Sequence, residues 1–181
     1  GGPIPVNDVA TIMMQLLDVL AEAHARGLVH RDLKPANLFL VQRMGEAVWI
    51  KVMDFGISKS IDAEVWTSAD RKNQTLTEPR TLLGSPEYMS PEQLRDSTNV
   101  DARADIWACG VVMFELLTAQ MPFEGQSLAD LYAQIISSPP RSLRALSSSA
   151  IPDEMVNVIE ASLRKDAAER PRTAYEIANV L

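Results

Sequence analysis

The sequence predicts a mostly α-helical α+β lobe that carries one small β-hairpin. Apolar residues recur at helical spacing near the start of the chain and again in several later segments. Between them stand two short runs rich in β-branched and aromatic residues, separated by a few polar positions. No internal repeat, low-complexity tract or break in composition divides the 181 residues, so we expect one domain with its own hydrophobic core.

The bulk composition excludes several classes of function. Apolar residues make up 46% of the chain and charged residues 23%, which is typical of a soluble globular protein. The net charge of −7 argues against a nucleic-acid-binding surface, which is normally basic. Cys109 is the only cysteine, so no disulfide can form within the chain, and its apolar neighbours predict a buried core residue.

The chain contains no sequence pattern for secretion or membrane insertion. Its longest apolar run, Ile106–Phe114, is far shorter than the roughly 20 residues that span a bilayer. We therefore expect a cytoplasmic location, although a longer parent protein could be membrane-anchored. The start at Gly1, without an initiating Met, suggests a cut in such a longer chain.

The first half of the chain is predicted to be a helix, a hairpin and a long loop. Apolar spacing predicts an amphipathic helix over Asn7–Arg26, ended by Gly27. The β-rich runs Asn37–Gln42 and Val48–Met53 are expected to pair as the hairpin. The polar stretch Ile57–Arg80 has no periodicity, and loops of that length are usually functional or mobile.

The second half is predicted to be helical. Ser90 begins a Ser-Pro-Glu-Gln capping pattern, with Pro at the first helical position. The segment Asp105–Leu117 is apolar nearly all round, which is typical of a helix buried at the centre of a lobe. Further helix starts are expected at Ser127, Pro152 and Thr173.

Two polar motifs carry the chemistry. His-Arg-Asp-Leu-Lys-Pro-Ala-Asn, which contains Asp32, Lys34 and Asn37, directly follows the first helix, and Asp54-Phe55-Gly56 begins 17 residues after Asn37. The pair resembles motifs of protein kinases. That resemblance implies phosphoryl transfer, which requires an acceptor hydroxyl placed in line and neutralisation of phosphate charge. A carboxylate such as Asp32 can orient that hydroxyl and take its proton, while the Lys34 ammonium can reach the transferring phosphate.

A metal site is also predicted from these motifs. The amide oxygen of Asn37 and the carboxylate of Asp54 are the oxygen ligands that Mg²⁺ prefers, and the ion usually keeps several waters. Asp32, Asn37 and Asp54 taken singly would more often be ordinary turn residues beside strands. Their order on a helix–loop–hairpin–loop layout favours a catalytic site instead.

These motifs resemble the catalytic loop and the metal-binding motif of protein kinases. Downstream, Gly84–Glu92 resembles the substrate-docking loop and the Ala-Pro-Glu closing motif of that family, with Ser90 where Ala is usual. Asp105–Trp107 is similar to the start of the central helix. Arg170 matches the Arg that pairs with the Glu of the closing motif, here Glu92.

The resemblance implies a protein-kinase-like fold (α+β) in which residues 1–181 form the C-terminal lobe and 54–92 the activation segment. It implies ATP and Mg²⁺ as cofactors, with Mn²⁺ as an alternative metal, and proteins carrying Ser or Thr as substrates. Lys34-Pro35 and Ser85 favour Ser/Thr over Tyr specificity. The details look most like the bacterial eukaryotic-like Ser/Thr kinases. The oligomeric state stays open.

The resemblance also implies an absent N-terminal lobe. None of the eight glycines forms the Gly-x-Gly-x-x-Gly pattern of the loop that covers the phosphates. We therefore expect this chain by itself to bind ATP poorly and to transfer phosphate negligibly. It is also expected to expose apolar surface that the other lobe would cover.

The family assigns further roles. It places Asp105 in hydrogen bonds to the backbone of the catalytic loop, although an acid in the first turn of a helix is favoured by the dipole in any case. His30 is expected to pack under Phe55, with Gly56 completing that motif. Phe39 is expected either beneath the adenine ring or in plain hairpin core.

A regulatory contact is expected at Arg31, which in the family often pairs with a phosphate on the activation loop. Thr75, Thr77 and Thr81 lie in that loop, and Thr77 is the first choice for autophosphorylation. The alternative is that these threonines are merely polar loop residues.

Two other classes of function compete with the enzyme. A non-catalytic kinase-like binding or scaffold module would be favoured by loss of Asp32, Asn37 or Asp54, and all three are present. A small-molecule phosphotransferase, such as the antibiotic kinases, shares the Asp–Asn loop and the metal Asp. It lacks the docking segment Ser85–Glu92 and the partner Arg170, so we discount it.

Overall fold

The computed structural model describes residues 2–41, 48–55, 85–96 and 100–181. Within these ranges it is mostly helical with one two-stranded antiparallel sheet, which confirms the predicted fold class. The first elements are helix α1 (Val6–Ala25) and strands β1 (Leu38–Val41) and β2 (Trp49–Val52). The helices that follow are α2 (Pro91–Arg95), α3 (Arg103–Thr118), α4 (Leu128–Ser137), α5 (Leu143–Leu146), α6 (Asp153–Ser162) and α7 (Ala174–Ala178). Short 3₁₀ turns lie at Pro35–Asn37, Pro86–Tyr88 and Ala167–Glu169.

Helix α3 forms the centre of the core. It is buried on almost every side, including Trp107, Cys109 and Phe114, as its uninterrupted apolar sequence predicts. Helices α1 and α6 pack on it. Helix α6 approaches α3 so closely that a Cβ added at Gly110 would stand 2.9 Å from the Cβ of Ser162. Glycine is therefore required at this crossing.

Helix α1 begins and ends one residue before the predicted bounds. The helix is amphipathic, and its buried apolar face carries Val9, Met13, Leu16 and Leu20 at helical spacing. Gly27 follows with φ +74°, in the left-handed region that glycine enters at little cost, and its amide donates to the His24 carbonyl at 2.9 Å. The chain is thereby turned into the loop that carries Asp32.

The predicted helix starts are confirmed. The hydroxyls of Ser90, Ser127 and Thr173 each accept a hydrogen bond from the backbone amide three residues later, at α2, α4 and α7. At Ser90 the side chain of Gln93 also accepts from the Ser90 amide, which completes the capping box. Helix α6 starts at Asp153 after Pro152, as expected.

The hairpin is shorter than predicted. Its register runs from Leu38 opposite Val52 to Val41 opposite Trp49. On its α1 side, the Gln15 amide donates to the Val48 carbonyl and accepts from the Ile50 amide, both at 2.9 Å. The edge strand β2 is thus paired with a side chain of α1.

One face of the hairpin is apolar and exposed. Phe39 is 53% exposed, and Val41 and Trp49, which share its face in this register, are exposed as well. The interpretation of Phe39 as plain hairpin core is therefore wrong, because more than half of its surface is exposed. The expected exposure of apolar surface is confirmed at this position. In the described ranges, no helix is both long enough and apolar enough to cross a membrane.

Candidate active site

The loop that follows α1 is anchored from below by Asp105. This carboxylate lies in the first turn of α3 and is only 1% exposed. One of its oxygens accepts from the His30 amide at 2.8 Å and the other from the Arg31 amide at 2.9 Å. These are the backbone hydrogen bonds that the sequence led us to expect. His24 of α1 adds a third, with Nε2 2.7 Å from the carboxylate.

Arg31 holds an unusual backbone conformation. Its φ of +64° lies in the left-handed region, which is unfavourable for a residue with a side chain. The Gln93 amide donates to the Arg31 carbonyl at 2.8 Å, and the Arg31 guanidinium donates to the Val100 carbonyl at 3.2 Å. Arg31 is thus held at its amide, its carbonyl and its side chain.

Asp32 and Lys34 lie side by side. Lys34 Nζ is 3.2 Å from Asp32 Oδ2, and both side chains are about one-fifth exposed, at 20% and 23% respectively. Asp32 lines a narrow crevice together with Ser85 and Met89 of the segment before α2. The structure therefore brings together the predicted base, the predicted phosphate-binding lysine and the predicted docking serine.

Asn37 is fixed by its side chain and by its backbone carbonyl. The side chain is nearly buried, and its Nδ2 donates to the Asp32 carbonyl at 2.8 Å. Its own carbonyl accepts from the Met53 amide at 2.9 Å. Asp54, which follows Met53, is exposed and has φ +56°. The two predicted metal ligands thus stand on adjacent, hydrogen-bonded segments.

This donor set fits a magnesium ion. Hard Mg²⁺ takes oxygen ligands, few of them from protein and the others from water or phosphate. In the described part of the chain, no group of three or more His, Cys, Asp or Glu side chains is placed to hold a metal.

His30 ties the loop to the Asp54 segment. Its ring is fully buried and lies 4.8 Å from the Phe55 ring, centroid to centroid, as expected. Nε2 is 2.9 Å from the Met53 carbonyl, and Nδ1 accepts from the Asp32 amide at 3.3 Å. A neutral ring with its hydrogen on Nε2 satisfies both contacts.

The pair Glu92–Arg170 closes the site from the α2 side. Arg170 donates to both carboxylate oxygens, at 2.7 and 2.8 Å, and its side chain is fully buried. Burial raises the pKa of Glu92, but the hydrogen bonds and charge of Arg170 outweigh it and hold that pKa below its ordinary value. The pairing predicted from the sequence is present.

The family of this chain is shown by comparison with known proteins. The model of the protein kinase domain matches residues 1–180. This chain belongs to the protein kinase family.

The curated relatives are bacterial Ser/Thr kinases. The chain is 38% identical to the serine/threonine-protein kinase Pkn1 of Myxococcus xanthus over all of its own length and 24% of that protein. It is 38% identical to pkn3 of the same organism over 94% of the chain and 30% of that protein. It is 34% identical to PrkC of Bacillus subtilis over 97% of the chain and 25% of that protein. The chain thus spans a quarter to a third of the length of these relatives.

Three contacts of this kinase lobe were missed by the sequence analysis. They are His24 on Asp105, Gln93 on the Arg31 carbonyl, and the Tyr88 hydroxyl donating to Glu115 at 2.7 Å. Burial and the adjacent Glu115 raise the pKa of Tyr88. The partners are 81, 62 and 27 residues apart in sequence, so no local pattern pointed to them.

Four expected kinase residues cannot be placed. Gly56, Thr75, Thr77 and Thr81 lie outside the described residues.

Proposed function

We propose that this chain is the C-terminal lobe of a Ser/Thr protein kinase, spanning 1–181 with the activation segment at 54–92. The enzyme transfers the γ-phosphate of ATP to Ser or Thr hydroxyls of proteins, with Mg²⁺ or alternatively Mn²⁺. One observation carries the proposal. The Lys34 ammonium donates to the Asp32 carboxylate and the Asn37 amide donates to the Asp32 carbonyl, while the backbone carbonyl of Asn37 accepts from Met53, the residue before Asp54. The names of the relatives support it.

The residues divide the reaction between them. Asp32 receives the hydrogen bond of the acceptor hydroxyl and takes its proton as the oxygen attacks. Lys34, held at the edge of the same carboxylate, contacts the transferring phosphoryl group. Asn37 and Asp54 would hold the metal ion, which when bound neutralises phosphate charge. Ser85 lines the same narrow crevice as Asp32, and in our proposal it belongs to the segment that docks the protein substrate.

The chain supplies only one wall of a nucleotide site. Kinases also require a Gly-rich loop, a strand Lys and a helix Glu, and none of these motifs occurs in this sequence. In our proposal they belong to an N-terminal lobe encoded upstream. The 181 residues alone therefore transfer negligible phosphate. Phosphorylation of Thr77, with Arg31 as its partner, is proposed as the activating modification.

The test replaces Asp32 with Asn in the full-length protein and follows labelled phosphate from ATP onto a generic acceptor protein. The amide cannot take the proton, so labelling should fall about 10²- to 10⁴-fold. Asp18→Asn, the same change on an exposed face of α1, is the matched control and should leave labelling unaltered. Undiminished labelling by Asp32→Asn refutes the assignment. No labelling by the unaltered protein would favour the scaffold module.

A further inference from the structure

The peptide group that joins Arg31 to Asp32 is bonded on both sides. Its carbonyl accepts from Gln93 Nε2 at 2.8 Å, and its amide donates to His30 Nδ1 at 3.3 Å. This peptide plane sets the direction in which the Asp32 side chain leaves the backbone. The side chains of Gln93 and His30 therefore fix the peptide from which the Asp32 side chain projects.

Gln93 uses both ends of its amide. Oε1 accepts from the Ser90 amide at 3.0 Å and from its hydroxyl at 3.2 Å, while Nε2 donates to Arg31. Rotation of the amide would break one of these links. Its neighbour Glu92 is clamped by Arg170, so helix α2 is itself fixed to the core. Gln93 is thus a short bridge between a rigid helix and the catalytic loop.

The loop needs such a bridge at this residue. Arg31 has φ +64°, and a strained conformation of this kind persists only where surrounding contacts over-determine it. Asp105 holds the amide of Arg31 and Gln93 holds its carbonyl. Without the Gln93 hydrogen bond, the Arg31 carbonyl loses this donor, and the peptide keeps only the longer 3.3 Å bond from the Asp32 amide to His30. We expect it to shift towards the ordinary region, which moves Asp32 with it.

We propose that Gln93 is a positioning residue that couples the docking segment, Ser85–Ser90, to the Asp32 carboxylate. The segment runs directly into the α2 cap that Gln93 completes, so a substrate that orders it also orders the Arg31–Asp32 peptide. The inference rests on the proposed role of Asp32 in phosphoryl transfer. It assigns Gln93 no contact with ATP.

The test is Gln93→Glu in the full-length kinase, assayed at pH 8. Glutamate has the same length and keeps the acceptor, so the Ser-x-x-Glu capping box persists. Its carboxylate cannot donate to the Arg31 carbonyl. We expect kcat to fall roughly tenfold or more, as small misplacements of reacting groups do, with the KM for ATP unchanged. Hydrogen exchange of the peptides covering the catalytic loop should accelerate.

Thr173→Ala is the matched control. It removes a comparable N-cap hydrogen bond, at α7, and touches no residue of the catalytic loop. It should lower the melting temperature at least as much as Gln93→Glu while leaving kcat and loop exchange unaltered.

The outcomes separate the two proposals. Unchanged kcat and loop exchange in Gln93→Glu overturn the positioning role, and so does a loss of kcat that Thr173→Ala reproduces. If Gln93→Glu is normal while Asp32→Asn is inactive, the kinase mechanism stands and this inference fails. If Asp32→Asn is fully active, the proposed function itself fails.

Discussion

Arg170→Ala should be among the most damaging substitutions in this lobe. The guanidinium is buried, and all five of its N–H groups are used. Two donate to Glu92, and the others to the carbonyls of Arg103, Arg164 and Lys165, over the face of Trp107 at 5.0 Å. Truncation therefore removes a donor from one carboxylate and from three carbonyls at once.

The loss of unfolding free energy in Arg170→Ala can be worked out from the acceptors that lose their donor. Breaking a buried ion pair by removing one partner costs about 3–5 kcal/mol. The Glu92 side chain keeps 26% exposure, so water partly solvates the orphaned charge and lowers that cost. The lost hydrogen bonds to the three carbonyls raise the cost again, since each contributes about 1 kcal/mol. We expect about 4 kcal/mol, a large share of the roughly 5–15 kcal/mol of a typical domain.

Arg172→Ala is the matched comparison. This arginine is exposed, and its hydrogen bond to Glu176 comes from the backbone amide, which the substitution keeps. Its cost should stay within about 0.5 kcal/mol. In equilibrium urea unfolding followed by far-UV circular dichroism, a slope of about 2 kcal/mol per M would separate the two midpoints by nearly 2 M. Coincident midpoints would refute the reasoning.

Three further predictions use the same unfolding assay. Because the pKa of Glu92 is held below its ordinary value of 4.5, its stabilisation is present above that pH and lost as the pH falls through the lowered pKa. The stability gap between the wild type and Glu92→Gln should therefore narrow in acid, and a constant gap would contradict this. Gly110→Ala should cost about 1–3 kcal/mol, because the new methyl group meets Ser162, and an unchanged midpoint would contradict the close crossing. His24→Phe keeps an aromatic ring but removes a donor from Asp105, and we expect a loss of about 1–3 kcal/mol. A neutral His24→Phe would show that the carboxylate is satisfied without it.

The helices were largely predictable because their signals are local. The capping serines and threonine, the apolar spacing of α1 and the all-apolar α3 depend on residues within a turn or two of each other. The hairpin was harder. A short apolar strand does not say which face is covered, and Phe39 turned out to be exposed.

The site was predictable in its residues but not in its supports. Asp32, Lys34, Asn37 and Asp54 were found from their order along the chain, and the structure places the first three in contact. What holds them comes from distant segments through single polar side chains, such as Gln93. A lone Gln in a helical segment carries no pattern that distinguishes a bridge from a solvated surface residue. Only the folded backbone brings it to Arg31.

The identity of residue 105 follows from counting donors. Three N–H groups converge on this buried side chain, from His24, His30 and Arg31, and two of them share one oxygen. An asparagine of the same shape has a single acceptor oxygen and would turn its NH₂ towards a donor. A buried carboxylate without such donors would be costly, and the strained Arg31 peptide without an acceptor would relax. The carboxylate and the loop therefore stabilise each other, which anchors the loop carrying Asp32 to the buried central helix α3.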